Sequence, residues 1–100
     1  MNPKQIEKAL QRLHKLEKEM ALLGPVMRGS VVRIGTRNKQ FYFSLNKDKK
    51  TRLIYLGKER VAQARRLSGN YKKLLALIEK MTLLNMELLK NDALKQHLSG

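Results

Sequence analysis

Apolar residues near the start of the chain recur every three or four positions, with charged residues between them: Ile6, Leu10, Leu13, Leu16, Met20 and Leu23. This spacing predicts an amphipathic helix over residues 3–23. Asn2 followed by Pro3 is a favourable start for a helix, and Gly24-Pro25 is a strong stop signal.

Between residues 26 and 57 the apolar period shortens to two, which predicts strands buried on one face. Three segments fit this pattern: residues 31–34, 41–45 and 52–56. The connectors between them, residues 35–39 and 46–50, are turn-rich and have a length usual for hairpins. We therefore predict a three-stranded antiparallel β-meander, with Phe41, Phe43 and Leu45 facing the core and Tyr42 and Ser44 facing away.

Helical periodicity returns at Lys58 and continues to about Leu94. The Ser68-Gly69-Asn70 stretch interrupts it, but the residues on either side stay in phase, so we predict one long helix, weakened by about 1 kcal/mol at the glycine. The predicted fold class is α+β: an N-terminal helix, the meander, and a long C-terminal helix that pairs antiparallel with the first helix. The whole chain, residues 1–100, is predicted to be a single domain.

Two apolar stripes follow the second half of the long helix. The first stripe contains Leu74, Leu77, Met81, Leu84 and Leu88, and the second contains Tyr71, Leu75, Ile78, Thr82, Asn85 and Leu89. The first helix can cover only one stripe, so we expect homo-oligomerisation, most simply as a dimer, to cover the remainder. The predicted oligomer interface is Leu74, Leu77, Met81, Leu84, Asn85 and Leu88. Asn85 either fixes the register of that seam or lies solvated at its edge.

Composition adds a strong charge asymmetry. The 100 residues contain 22 Lys and Arg against 8 Asp and Glu, a formal net charge of +14, and no cysteine. Residues 26–75 carry 14 of the basic residues and only two acidic ones. A basic surface of this density favours a polyanion partner, with DNA or RNA first, although lysines in loops can also serve solubility alone.

The predicted nucleic-acid contacts lie on the meander and on the start of the long helix. They are Arg33, Arg37, Lys39, Tyr42, Lys47, Lys49, Lys50, Arg52, Arg65, Arg66, Lys72 and Lys73. Lysine and arginine displace counterions from the phosphate backbone, and a β-ribbon can enter a major groove. Tyr42 and Tyr55 either stack on bases or pack against each other across the strands.

An enzyme is the least favoured class, because acids and histidines form no convergent cluster in the sequence. His14 and His97 are expected on the surface, and neither a metal site, a catalytic residue nor a cofactor is predicted. The longest apolar run, residues 74–78, is too short for a bilayer span, so we expect a soluble, cytoplasmic protein without a membrane partner.

Several short motifs resemble a family of small, uncharacterised prokaryotic proteins, a domain of unknown function. They include Arg28-Gly29-Ser30-Val31, Phe41-Tyr42-Phe43-Ser44, Asn70-Tyr71-Lys72-Lys73-Leu74 and residues 84–89. Family members usually carry a Cys-Gly-x-x-x-Cys-x-Cys insert and a His-Gly-Pro-Tyr stretch between the first two strands, and this chain has neither. The resemblance implies the same helix, meander and long-helix layout and a link to mobile elements, and it supplies no activity.

Two functions from different classes therefore remain. The first is a small oligomeric nucleic-acid-binding protein whose basic meander contacts the phosphate backbone. The second is an adaptor or assembly factor whose leucine-rich helix binds another protein.

Overall fold

A computed structural model describes residues 1–95. The elements, in chain order, are helix α1 (Pro3–Ala21), strands β1 (Ser30–Ile34), β2 (Gln40–Lys47) and β3 (Lys50–Tyr55), and helix α2 (Val61–Lys90). The predicted α+β layout is confirmed. His97 lies outside the described residues, so the expectation that it is a surface residue stays a prediction.

Helix α1 begins where the sequence predicts, because Asn2 caps it. The Asn2 side chain accepts a hydrogen bond from the Gln5 backbone N–H (2.9 Å), and the Gln5 side chain accepts one from the Asn2 backbone N–H (3.0 Å). This reciprocal capping box satisfies two backbone donors that a helix start otherwise leaves open. The helix ends at Ala21, two residues before the predicted end.

The three strands form one antiparallel sheet in the order β1-β2-β3. Val31 lies opposite Phe43 and Arg33 opposite Phe41, while Phe43 also lies opposite Ile54 on β3. The predicted five-residue connector at residues 46–50 is wrong. Lys47 pairs directly with Lys50, so a two-residue turn at Asp48-Lys49 joins β2 and β3, and both turn residues have positive φ (54° and 63°), as a type I′ turn requires.

Helix α2 is continuous through Gly69, which confirms one long helix, but it is shorter at both ends than the predicted residues 58–94. Residues 57–60 form a turn, and the Arg60 carbonyl accepts the first helical hydrogen bond, from Ala64. At the other end Ala93 N–H bonds to Leu88 O (2.8 Å) and Asp92 N–H to Leu89 O (3.1 Å), with Asp92 at φ 55°. This pair of bonds is a Schellman cap, which ends the helix at Lys90.

The contacts group the chain into two compact units, and the single domain predicted from the sequence stays a prediction. We call Met1–Leu23 together with the residues from Leu74 onward the helical unit, and Gly24–Lys73 the sheet unit. In the helical unit, α1 and the second half of α2 pack antiparallel around Ala9, Leu13, Leu88 and Leu94. The Met1 ammonium donates to Asn91 Oδ1 (2.9 Å), which joins the start of one helix to the end of the other.

The sheet unit has its own small core, formed where the first turns of α2 cover one face of the sheet. Phe43, Leu56 and Ala64 are buried there, with Met27, Val31, Phe41 and Val61 packed around them. The predicted inward position of Phe43 is therefore confirmed. Two buried polar side chains on α2 bond the preceding segment: Ser68 donates to the Gly29 carbonyl and Asn70 to the Pro25 carbonyl, each at 2.9 Å.

Candidate functional site

Positive charge in the sheet unit is almost uncompensated. Gly24–Lys73 contains 14 basic residues and two acidic ones, whereas the rest of the chain has eight basic and six acidic residues. Within residues 1–95, neither Asp48 nor Glu59 lies within 4.0 Å of a lysine or arginine nitrogen to form an ion pair. The mutual repulsion of the cations in this unit is therefore offset by only two carboxylates, neither of which forms an ion pair within residues 1–95.

Two arginines converge on one aromatic ring. The guanidinium carbon of Arg33 lies 5.3 Å from the centre of the Phe41 ring, and that of Arg65 lies 5.9 Å from the same centre. Arg33 is on β1 opposite Phe41, and Arg65 reaches the ring from α2. Each cation–π contact is worth about 0.5–1 kcal/mol at an exposed site. These contacts hold two like charges near each other, which raises the local positive potential.

Arg65 also lines a groove between β1 and α2. The groove has a volume of about 250 Å³ and is bounded by Ser30, Val31, Arg65, Ser68, Gly69 and Lys72. Arg65, Gly69 and Lys72 are spaced by four and three residues, so they lie along one face of the helix. The Arg65 and Lys72 side chains thus flank an open space, and two adjacent cations suit a phosphate or another anion.

A second group of cations lies at the turn between β2 and β3. Lys47, Lys49 and Lys50, which we call the hairpin lysines, are exposed, and Lys47 lies directly opposite Lys50. Like charges in directly opposed positions destabilise a strand pair. Lys47 is six positions after Phe41 on β2. The hairpin lysines therefore lie about 20 Å along the strand from Arg33 and Arg65, which we call the paired arginines.

The other predicted basic contacts are exposed but join neither group. Arg37 and Lys39 lie in the loop between β1 and β2, and Arg52 lies on β3 opposite Leu45. Arg66 and Lys73 each follow a groove residue on α2, so they point about 100° away round the helix. Arg28 and Arg60 bond the Asn46 and Tyr55 backbone carbonyls instead (3.0 and 3.3 Å).

Tyr42 and Tyr55 lie on the sheet face away from α2. Their rings meet edge to face, with centroids 5.5 Å apart and planes at 66°. Tyr42 is half-buried, while Tyr55 is exposed and donates a hydrogen bond to Gln40 Oε1 (3.2 Å). This is the cross-strand packing that the sequence analysis weighed against base stacking.

The predicted oligomer interface needs correction. Leu77 and Leu88 are only 7% and 0% exposed, so a second copy of the chain cannot contact them. Leu74, Met81, Leu84 and Asn85 are half-buried, and Met81 and Leu84 pack against the α1–α2 core. The first stripe is thus largely the one that α1 covers.

Apolar surface remains exposed on the other side of α2. Leu75, Ile78, Met86 and Leu89, which we call the exposed stripe, are between 43% and 65% exposed. Three of these four residues belong to the second stripe of the sequence analysis. Leu83, elsewhere on the same helix, is also 58% exposed, so the exposed stripe is one part of α2 that is free to contact another chain.

Other chemistry is sparse in the described part of the chain. His14 is on the surface, with Nδ1 4.0 Å from a Glu17 carboxylate oxygen. Across residues 1–95, no three His, Asp or Glu side chains are placed to hold a metal ion together. Nor does any helix in this range have both the length and the apolar character needed to cross a membrane.

Comparison with known proteins adds no relative: the chain matches no family model, no curated protein and no solved structure. The resemblance to the uncharacterised prokaryotic family therefore stays a prediction. The sequence analysis missed Ser30, Ser68 and Gly69 as groove residues and assigned Phe41 only to the core. No local pattern marks these positions, because residues of α2 meet residues of β1 and β2 that are 24 or more positions away in the sequence.

Proposed function

We propose that the chain is a small nucleic-acid-binding protein that contacts the phosphate backbone of DNA or RNA through its sheet unit. The observation that carries the proposal is the convergence of Arg33 and Arg65 on Phe41, beside Lys72, with no carboxylate paired to them in residues 1–95. Phosphate groups supply the counter-charge that the sheet unit lacks, and the released counterions favour binding.

The distance between the two cation groups suggests a ligand of some length. About 20 Å separates the paired arginines from the hairpin lysines along β2. A DNA duplex carries one charge per about 1.7 Å of its axis, so about six base pairs cover this span. We expect a shorter duplex to engage one group only and to bind more weakly.

Salt dependence tests the proposal. Fluorescence anisotropy with labelled duplex DNA should give a log–log plot of affinity against NaCl concentration that falls linearly. The triple variant Arg33→Gln, Arg65→Gln, Lys72→Gln should reduce the slope by about 0.9 per lost phosphate contact, and therefore by up to about 2.7. Parallel titrations with single-stranded DNA and double-stranded RNA determine which nucleic acid is preferred.

The matched control removes the same charge elsewhere. Lys4, Lys8 and Lys15 are exposed on α1, and their replacement by glutamine also lowers the net charge by three. The control should leave the slope within about 0.5 of wild type, because these residues lie outside the sheet unit. An equal loss in both triple variants would reject the site, and wild type that binds none of the nucleic acids would reject the function.

The exposed stripe supports a second part of the proposal, self-association, most simply as a dimer. Burying the four apolar side chains of the stripe against a second copy removes an aggregation hazard. The alternative function, an adaptor whose α2 binds a different protein, uses the same surface. The exposure of Met86 and Leu89, at 61% and 65%, favours the adaptor as much as it favours self-association.

Light scattering during size-exclusion chromatography separates these alternatives. A dimer that becomes a monomer in the double variant Ile78→Lys, Leu89→Lys supports self-association. The control is Leu22→Lys, which adds a charge at an apolar residue that is 86% exposed outside the stripe. A wild-type protein that stays monomeric at every concentration contradicts self-association and favours the adaptor.

A further inference from the structure

Gly69 occupies a position where the fold does not require glycine. It lies inside α2, well away from both helix ends, and its backbone is helical. A Cβ atom built on Gly69 would meet no atom within 4 Å. Alanine there would stabilise the helix by about 1 kcal/mol relative to glycine. Packing within the sheet unit therefore gives no reason for the missing side chain.

The surroundings of Gly69 suggest another reason. Arg65 lies one turn before it and Lys72 one turn after it on the same face of the helix, and all three line the groove beside Ser30 and Val31. Any side chain on Gly69 would project into the space between the two cations. Glycine is the residue that lets a ligand approach a backbone closely.

The two cations of the groove have spare hydrogen-bond donors, whereas the Ser68 hydroxyl already uses its proton to bond Gly29 O (2.9 Å). The Arg65 guanidinium and the Lys72 ammonium combine donors with positive charge, which suits an anion rather than a cation. Arg33, whose guanidinium carbon lies 5.3 Å from the centre of the Phe41 ring, adds to the same positive potential.

We infer that the groove is the seat of one backbone phosphate, with Gly69 as the point of closest approach between the helix and the nucleic acid. This inference rests on the proposed function and deepens it. The phosphate oxygens accept hydrogen bonds from Arg65 and Lys72, and the absence of a side chain at Gly69 lets the phosphate lie between the two cations.

The test uses variants in which stability and affinity change in opposite directions. Gly69→Ala and Gly69→Leu in the full chain should melt no lower than wild type, because both residues favour a helix more than glycine does. Their affinity for the same labelled duplex should fall in the order Gly, Ala, Leu. Gly69→Leu should bind about tenfold more weakly, with a salt slope lower by about 1, since one phosphate contact is lost.

Gln63→Leu is the matched control, because Gln63 is exposed on the same helix and does not line the groove. It should bind as wild type does. If Gly69→Leu binds as tightly as wild type while the Arg33, Arg65 and Lys72 triple variant binds more weakly, the phosphate seat is wrong and the proposed function stands. Equal weakening by Gln63→Leu overturns the seat as well, and wild type without affinity for nucleic acid overturns both. Should Gly69→Leu aggregate, Gly69→Ala alone decides between the same outcomes.

Discussion

Replacing Gly29 by alanine should destabilise the sheet unit strongly. Gly29 has φ of 134°, and an added Cβ would lie 2.5 Å from Phe43 Cε1 and 2.6 Å from the Ser44 carbonyl oxygen. Neither neighbour can move freely, since Phe43 is buried in the core and Ser44 O belongs to the backbone of β2. The Gly29 carbonyl is also held by Ser68.

The expected loss of stability in Gly29→Ala follows from three contributions to the free energy of unfolding. Positive φ at a non-glycine residue costs about 1–3 kcal/mol, and overpacking a core costs about 1–3 kcal/mol. The lower entropy of alanine in the unfolded chain returns only about 0.4–1 kcal/mol. The expected net loss is therefore about 2–5 kcal/mol, a large part of the stability of a small domain.

Urea unfolding followed by tyrosine fluorescence measures this loss directly. The chain has no tryptophan, and its three tyrosines, Tyr42, Tyr55 and Tyr71, all lie in the sheet unit. Gly69→Ala is the control, because the same methyl group there meets open space and should raise stability. A Gly29→Ala protein within about 0.5 kcal/mol of wild type would show that the tight approach of this segment to Phe43 is wrong.

Three further substitutions test other parts of the fold. Leu88→Ala should lower the free energy of unfolding by about 2–5 kcal/mol, because Leu88 is fully buried between α1 and α2. Urea unfolding monitored by circular dichroism measures this loss, and a value below about 1 kcal/mol would contradict that packing. Asn2→Ala should cost about 1 kcal/mol in the same assay by removing the α1 cap, and an unchanged midpoint would argue against the capping box. Lys49→Gly should raise the stability of the hairpin by about 0.5–1 kcal/mol, since glycine adopts positive φ without strain. The same variant should lower the salt slope of nucleic-acid binding by no more than about 1. A less stable protein would contradict the type I′ turn.

The sequence predicts the elements well where local chemistry and periodicity agree. Asn2-Pro3 and the spacing of apolar residues give α1, and alternation in residues 41–45 gives the buried face of β2. The two-residue turn at Asp48-Lys49 is different, because Asp48 tolerates positive φ but Lys49 stands where such turns favour glycine, so the local signal is weak. The lack of glycine at Lys49 has two consequences. It strains the turn, and it makes residues 46–50 resemble a longer loop in the sequence.

Which residues share a site is harder to predict than which residues form a helix. Arg33 and Arg65 are 32 positions apart in the sequence and meet only because β1 pairs with β2 in one register and α2 packs across the same face. A shift of one residue in that register would place Phe41 and Arg33 on opposite faces of the sheet. Likewise, the periodicity of α2 gives two stripes, but only the packing of α1 determines that Leu88 is covered and Leu89 is not.

Residues that a purely stable fold would not choose are more common in the sheet unit than in the helical unit. The helical unit has a complete capping box, a Schellman cap and a packed α1–α2 core, and its main departure is the exposed stripe. The sheet unit has lysine at positive φ, glycine inside a helix, opposed Lys47 and Lys50, and two arginines on one ring. Each of the first three lowers stability by an amount on the order of 0.5–1 kcal/mol, and the two arginines place like charges close together despite their favourable ring contacts. Proteins keep such departures mainly where function requires them. Three of the four place or expose positive charge, and the fourth, Gly69, opens the space between two cations. The proposed nucleic-acid ligand would account for all four features, because its phosphates, when bound to the sheet unit, offset the charge repulsion that the unbound chain carries.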